Sequence, residues 1–400
     1  MTVLEVKNLK TYFHTRAGSV KAVDNVSFKL EKGEVLGLAG ESGCGKTTTC
    51  LSIMQMIDYP GEIMEGEILY ENSYDVLKEY NGLFDKYLYK NVFPKRIARK
   101  NSPPPEKILA DGSLNWRALA NKPKSIASNL RDRLIVDRIL NWRGIKDKST
   151  NLLTLTEEEM RRIRGNHISM VFQGAMNALN PVHRVGNQIL EVLKIHKPEL
   201  EKEEAWDRVI NILETVGIDS SRARDYPHQL SGGMKQRALI AMALVNNPDI
   251  IIADEPVTAL DVIVQSQVLK ATKELQKEFD LSMIMITHDL SVIAEVCENL
   301  AIMYAGKIVE YGDLRTLFKE PFHPYTQALI SAFPSITGPK KDLYDIGGFP
   351  PDLRNPPSGC RFHPRCPRAM PICSKKEPSN TPIKNGYVAC WLYEEEEKRK

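Results

Sequence analysis

Gly40-Glu41-Ser42-Gly43-Cys44-Gly45-Lys46-Thr47 stands between the apolar run Val35-Leu36-Gly37-Leu38-Ala39 and the helix-compatible Thr47-Thr48-Thr49-Cys50-Leu51. The string is a complete G-x-x-x-x-G-K-[ST] loop in strand–loop–helix context. Its glycines let successive backbone N–H groups turn inward, and the positive end of the next helix closes the cradle around an anion. That pattern predicts a nucleoside triphosphate site, with Lys46 on the β- and γ-phosphates and Thr47 on Mg²⁺.

Working outward, residues 3–13 and 20–30 alternate apolar and polar positions around the turn Arg16-Ala17-Gly18-Ser19, the pattern of an antiparallel pair. Gly66–Tyr70 reads as a further strand. Regular patterning then stops. From Asn72 to about Asn151 the chain holds Ser102-Pro103-Pro104-Pro105, lysine clusters and one helical stretch, Ile126–Trp142, and is expected to be an insert. It is also the basic part of the chain: Asp85–Lys148 carries sixteen Lys/Arg against six Asp/Glu, whereas the whole 400-residue chain is only +3. A solvated loop and a contact with anionic headgroups or an acidic partner are both compatible with that charge.

Order resumes at Thr156, a threonine N-cap before Glu157-Glu158-Glu159. Ile168–Phe172 reads as a strand ending in Gln173. Residues 186–217 have helical spacing, Leu230–Val245 is a helix, and Ile250–Ala253 and Ser282–Thr287 are buried strands. Strands alternating with helices imply a mainly parallel sheet.

Two carboxylates, Asp254 and Glu255, close the strand Ile250–Ala253 at its carboxyl end, where open parallel sheets bind ligands. Asp254 is expected to orient the Mg²⁺ shell, and Glu255 to polarise the water that attacks the γ-phosphate. Leu230-Ser231-Gly232-Gly233-Met234-Lys235-Gln236-Arg237 is a second glycine-rich turn opening a helix. One triphosphate already fills the first loop, so this turn is expected to serve a nucleotide held by another chain.

These motifs together resemble the ATP-binding subunits of ABC transporters. The resemblance implies a P-loop NTPase (RecA-like) α/β fold whose mainly parallel sheet carries an antiparallel β subdomain and a helical signature subdomain. It implies Phe13, or the neighbouring Tyr12, as the aromatic that stacks on adenine, and Gln173 as a ligand of Mg²⁺ or the attacking water. Ala259-Leu260-Asp261 matches the D-loop, and His288, in Ile286-Thr287-His288-Asp289, matches the switch histidine on the γ-phosphate. The cofactors implied are ATP and Mg²⁺. The partners implied are a second, related ATPase chain, two transmembrane permease subunits and an extracytoplasmic solute-binding protein. Val257 departs from the family, which usually has threonine there.

Beyond Pro321 the chain is rich in proline, glycine and cysteine, and is expected to form a separate appendage over 321–400 after a nucleotide-binding domain over 1–320. His323-Pro324-Tyr325-Thr326, Gly359-Cys360-Arg361-Phe362-His363-Pro364-Arg365-Cys366-Pro367 and Cys390-Trp391 resemble the oligopeptide/dipeptide transporter ATPases. Within that group Cys360, Cys366, Cys373 and Cys390 resemble the ligands of a [4Fe-4S] cluster. A Cys₄ zinc site is the chemical rival, although loops of five, six and sixteen residues lack the close pairs of a zinc ribbon. The other cysteines, Cys44, Cys50 and Cys297, are expected to pack.

The amino terminus lacks the basic and apolar regions of a signal peptide, and no apolar run approaches ~18 residues. A peripheral position on the cytoplasmic face of a membrane is therefore expected, with contact indirect or through the basic insert. The resemblance implies an importer of oligopeptides, dipeptides or a similar solute such as an oligosaccharide. A soluble ABC ATPase acting on nucleic acid or ribosomes is the alternative, although no fused second cassette or coiled coil accompanies these motifs. A non-catalytic iron–sulfur scaffold is opposed by the intact Glu255 and His288.

Overall fold

The computed structural model describes residues 1–71, 145–146, 149–174, 178–258, 261–332 and 346–397. The helix expected over Ile126–Trp142, nearly all of the insert, and Ala259-Leu260 of the D-loop string lie outside them. The chain divides into two compact units, Met1–Ile68 with Thr156–Lys400, and Leu69–Leu155.

In the larger unit β1 (Thr2–Thr15) and β2 (Gly18–Glu31) form a long antiparallel pair, as their alternation predicts, with β4 (Gly61–Tyr70) on the other side of β1. Between them in sequence lie β3 (Val35–Ala39) and α1 (Lys46–Ile53), which flank the phosphate loop. In the smaller unit the end of β4 pairs through Leu69 and Tyr70 with β6 (Ser149–Asn151), which pairs with β5 (Ile145–Lys146).

The larger unit continues with α2 (Glu157–Ile163), whose Thr156 and Glu159 form a capping box that satisfies two backbone donors reciprocally. Next come β7 (Ile168–Val171), α3 (Val185–His196) and α4 (Lys202–Thr215). The helical stretch expected over 186–217 is thus two helices. Pro198 removes a backbone donor and blocks the preceding turn, so the chain turns over Lys197–Glu201 and restarts. After them come α5 (Gly232–Leu244), β8 (Ile250–Asp254), α6 (Val262–Glu278), β9 (Ser282–Ile286) and α7 (Leu290–Val296). The unit ends with β10 (Asn299–Tyr304), β11 (Lys307–Asp313), α8 (Leu314–Lys319), α9 (Pro324–Ser331), β12 (Thr381–Ile383), β13 (Gly386–Val388) and α10 (Trp391–Glu397).

The central sheet runs β12-β13-β11-β10-β3-β9-β8-β7. β10, β3, β9, β8 and β7 are parallel, with Val35 beside Met283, Asp254 beside Ile286 and Val171 beside Ala253. Every residue of β3, β8 and β9 is buried, as expected of strands covered on both faces. Each large apolar side chain removed from water there contributes about 1.5–3 kcal/mol. The register brings the carboxyl ends of β3, β8 and β9 together, and with them the phosphate loop, Glu255 and His288.

The C-terminal segment does not stand apart as the sequence suggests. β13 pairs antiparallel with β11 through Glu310–Val388, Tyr311–Tyr387 and Gly312–Gly386, and so extends the sheet that holds the phosphate-loop strand. Phe362 and Tyr325 belong to the same hydrophobic core as β3 and β10. Short sequence spacings of proline and glycine suggest coil; the few aromatic residues among them are what anchor the segment.

Candidate functional site

Three glycines of the phosphate loop, Gly40, Gly43 and Gly45, have positive φ. Two of them also have no room for a side chain: a Cβ at Gly40 would lie 2.1 Å from the Met303 carbonyl oxygen, and one at Gly45 2.2 Å from that of Ala22. The loop can therefore lie flat on β10 and β2 only with glycine at both places. Lys46 is buried, and its Nζ donates to the carbonyls of Gly40 (2.8 Å) and Glu41 (3.0 Å) and towards Cys44 Sγ (3.7 Å). The cation thus closes the loop on itself. Ser42, Gly43 and Thr47 are exposed and Thr48 half-buried at the mouth.

Asp254 is 1% exposed, and its Oδ1 has no hydrogen-bond partner among the described residues. Burial raises its pKa, an effect opposed by the Thr47 hydroxyl and reinforced by the Glu255 charge. A buried carboxylate oxygen left unpartnered beside a threonine hydroxyl is the donor set a hard dication requires, so Thr47 and Asp254 fit Mg²⁺.

Glu255 has φ 47°, a left-handed conformation that costs a glutamate energy and turns its side chain out at the end of β8. Its backbone N–H donates to Ile286 O at 2.8 Å, which fixes the turn against β9. The carboxylate receives three donors: His288 Nδ1–H on Oε1 (3.0 Å), and Gln173 Nε2 (2.8 Å) and the Thr258 hydroxyl (3.0 Å) on Oε2. Burial alone would raise its pKa, but the bonds from His288, Thr258 and Gln173 outweigh burial and hold it below the usual value. It is an ionised acceptor with three elements converging on it.

Gln173, Asp254, Glu255 and His288 thus meet beside the phosphate loop. Ser231 and Asp261 do not join them by any hydrogen bond found among the described residues. The exposed Ser231 caps α5, its hydroxyl accepting from Met234 N–H at 3.3 Å, and Asp261 caps α6 by accepting from Val264 N–H at 3.0 Å. The two helix starts touch each other instead: a Cβ at Gly233 would meet Val264 Cγ1 at 2.4 Å, and Gly232 beside it is half-buried.

Of the two aromatic candidates for the base, Tyr12 is tied down. Its hydroxyl donates to Asp24 at 3.0 Å, and burial with that carboxylate pushes its pKa up to about 12. Phe13 is half-buried, with its ring edge close to Gly61.

The four cysteines lie in one neighbourhood. Burial raises Cys360 to about 11 and Cys390 to about 12; Cys366 and Cys373 raise Cys360 further, and Cys360, Cys366 and Cys373 raise Cys390 further. Among the described residues, however, no three or more His, Cys, Asp or Glu side chains are grouped to hold a metal ion. Cys44, Cys50 and Cys297 are buried, as expected.

Sequence reading missed Tyr325 and Arg365. The Tyr325 hydroxyl accepts the Glu41 N–H at 2.9 Å, and Arg365 grips the Glu41 carboxylate with both terminal nitrogens at 2.8 and 2.9 Å. Both belong to the C-terminal strings that the sequence sets aside as an appendage. No spacing rule links positions more than 280 residues apart.

The ABC transporter family profile matches residues 23–160 and 149–258, and that of the oligopeptide/dipeptide transporter C-terminal region matches 309–373. The chain is 39% identical to the oligopeptide transport ATP-binding protein AppD of Bacillus subtilis, over 99% of this chain and 98% of that one. It is 38% identical to the dipeptide transport ATP-binding protein DppD of the same organism (98% and 95%) and 36% identical to OppD of Escherichia coli (94% and 89%). Among solved structures it resembles cbiO1 of Clostridium perfringens, part of the ABC transporter complex cbiONQ, with TM-score 0.53, 21% identity and coverage of 80% and 91%. It also resembles the ATP-binding cassette MJ0796, in a dimer bound to ADP and Pi, with TM-score 0.51, 22% identity and coverage of 78% and 99%. At these identities the structural likeness concerns the fold. No helix among the described residues is long and apolar enough to cross a membrane.

Proposed function

We propose, from the premise that this chain belongs to the ABC transporter family and to its group of oligopeptide and dipeptide transport ATP-binding proteins, that it powers peptide uptake through permease subunits at whose cytoplasmic face it docks. It is an ATPase of that family. The observation that carries the mechanism is the convergence of His288, Gln173 and Thr258 on the ionised Glu255 beside Asp254 and Thr47.

In this reading the phosphate loop and Lys46 hold the triphosphate, and Phe13 supports the base. Thr47 and Asp254, with Gln173 nearby, would hold Mg²⁺, which neutralises charge on the β- and γ-phosphates. Glu255 accepts a proton from the water whose oxygen bonds to the γ-phosphorus as the bond to ADP breaks. Three protein donors leave one acceptor position on the carboxylate, on Oε1 beside His288, where the water can be held. The turn Ser231-Gly232-Gly233, exposed at Ser231, and the adjoining Asp261 close on the nucleotide held by a second, related ATPase subunit. Contacts present only with ATP bound then bias the closed state.

Replacing Glu255 with Gln in the assembled transporter tests this. ATP hydrolysis is expected to fall by ~10²–10⁴, with ATP affinity kept and a closed dimer accumulating on gel filtration. Hydrolysis above about a tenth of the unsubstituted rate would remove Glu255 from the role of base. Uptake into proteoliposomes of di- and hexapeptides against an oligosaccharide tests the cargo, and peptide must be the one moved.

The finer reading, a [4Fe-4S] cluster on Cys360, Cys366, Cys373 and Cys390, is supported by donor chemistry and by the mutual proximity of the thiols, not by a convergent arrangement. Iron and zinc analysis of anaerobically purified protein tests it: iron with visible absorption supports the cluster, and zinc or neither metal rejects it.

A further inference from the structure

The heptad Cys360-Arg361-Phe362-His363-Pro364-Arg365-Cys366 sends three side chains in three directions. Phe362 is buried, with Tyr304 edge-on at 5.1 Å and Tyr325 and His323 at 5.4 and 5.7 Å. It pins the heptad to the core beside the end of β10.

On one side Arg365, whose side chain is 6% exposed, makes a two-pronged ion pair with Glu41, the second residue of the phosphate loop. Its remaining donors are also held: Nε on the Gly347 carbonyl at 2.9 Å and Nη2 on that of Ile346 at 3.0 Å, while Nη1 reaches the Tyr304 hydroxyl at 3.3 Å. Glu41 is thus fixed at its carboxylate by Arg365, at its N–H by Tyr325 and at its carbonyl by Lys46. On the other side Arg361, also buried, pairs with Asp24 and donates to the Ala305 carbonyl. Asp24 in turn receives the Tyr12 hydroxyl, next to Phe13, and its N–H donates to Gly306 O at 2.8 Å.

A loop rich in positive-φ glycine has little stiffness of its own and must be ordered whenever a triphosphate binds. An ion pair that holds the loop in shape beforehand reduces that entropic cost. We propose that the Cys360–Cys366 heptad is a positioning clamp for ATP, Arg365 holding the phosphate loop in its binding shape through Glu41 and Arg361 holding the base end through Asp24. Neither arginine is a catalytic residue; both act through residues of the nucleotide site. The proposal rests on the reading of that site as an ATP site.

The pair Arg365–Glu41 gives the test, in the full chain with its transporter partners, by calorimetric titration with ATP and by steady-state hydrolysis. Glu41→Gln and Arg365→Gln are each expected to weaken ATP binding by about tenfold, as loss of a charge-assisted two-pronged bond implies. KM should rise similarly while kcat changes less than about twofold, since Glu255 and His288 are untouched. The double variant should be no weaker than the worse single one, because the two act as one unit. Arg365→Lys should restore part of the affinity, keeping the charge without the fork. Losses that multiply in the double variant, an equal fall in kcat, or unchanged affinity in Glu41→Gln would overturn the clamp. Should Arg365→Gln fail to fold, Glu41→Gln with unchanged melting temperature decides alone, because Glu41 is partly exposed. If the unsubstituted chain binds no ATP while Lys46→Ala behaves identically, the reading of the site fails and the clamp with it.

Discussion

At the scale of single residues, two neighbouring carboxylates carry opposite electrostatics. Asp254 is raised because it is buried; Glu255 is lowered because three donors outweigh its burial. A folded-state carboxyl with a raised pKa binds more protons than the unfolded chain once pH passes the unfolded value of about 3.9, so folding loses stability as pH rises through that window. Asp254→Asn removes this penalty. The nucleotide-free variant is therefore expected to melt higher than the parent at pH 7, with the difference vanishing under acid conditions, while Mg²⁺-dependent ATP binding is lost. Differential scanning fluorimetry across pH checks the sign; a lower melting point at pH 7 would refute it. Glu255 has the reverse sign, contributing stability above the ordinary glutamate range that is lost as pH falls through its depressed folded value. The identity of both carboxylates was legible from the strand that delivers them. Their opposite shifts were not, because these depend on Thr47, His288 and Gln173 arriving from distant parts of the chain.

Among elements, the helices that open with Gly232 and Val262 explain what an isolated glycine pair could not. Gly233 lies where any Cβ would strike Val264, so α5 and α6 approach each other closely at their starts. Gly233→Ala is expected to destabilise the chain by about 1–3 kcal/mol through overpacking, and to do so less in a Val264→Ala background. Denaturant melts of the two single variants and the double one check this; equal effects in both backgrounds would refute it. Strand and helix positions in the nucleotide-binding part followed from alternation, apolar runs and capping residues, as at Thr156 and at β8. The C-terminal segment was misread as free-standing because β12 and β13 are three residues each, too short for a period to show. His323 illustrates the same point. Wholly buried, it is pushed down to about 3 by desolvation, and its neutral Nδ1 accepts the Tyr325 N–H to cap α9. A string that marks the family in sequence is thus a helix start that points Tyr325 at the phosphate loop.

For the whole molecule, the unbroken sheet from β7 to β12 means that the C-terminal segment and the nucleotide site share one fold. Removing residues 346–397 is expected to leave the backbone edge of β11 bare, expose the core around Tyr304 and Tyr325, and yield aggregated protein with ATP affinity reduced at least tenfold. Light scattering and ATP titration of the truncated chain check this, and a monodisperse product with full affinity would show that the sheet ends functionally at β11. The pairing of β11 with β13 also bears on how the protein is made. A ribosome delivers the chain from the amino end at ~5–20 residues per second, so Asp313 emerges several seconds before Val388. Until then the edge of β11 is unpaired, and for most of that interval Arg361 and Arg365 are still to come. On the proposed clamp, a nascent chain therefore passes through a stage in which Glu255 and His288 have emerged but the phosphate loop is not yet braced, so full ATP affinity waits for Arg365.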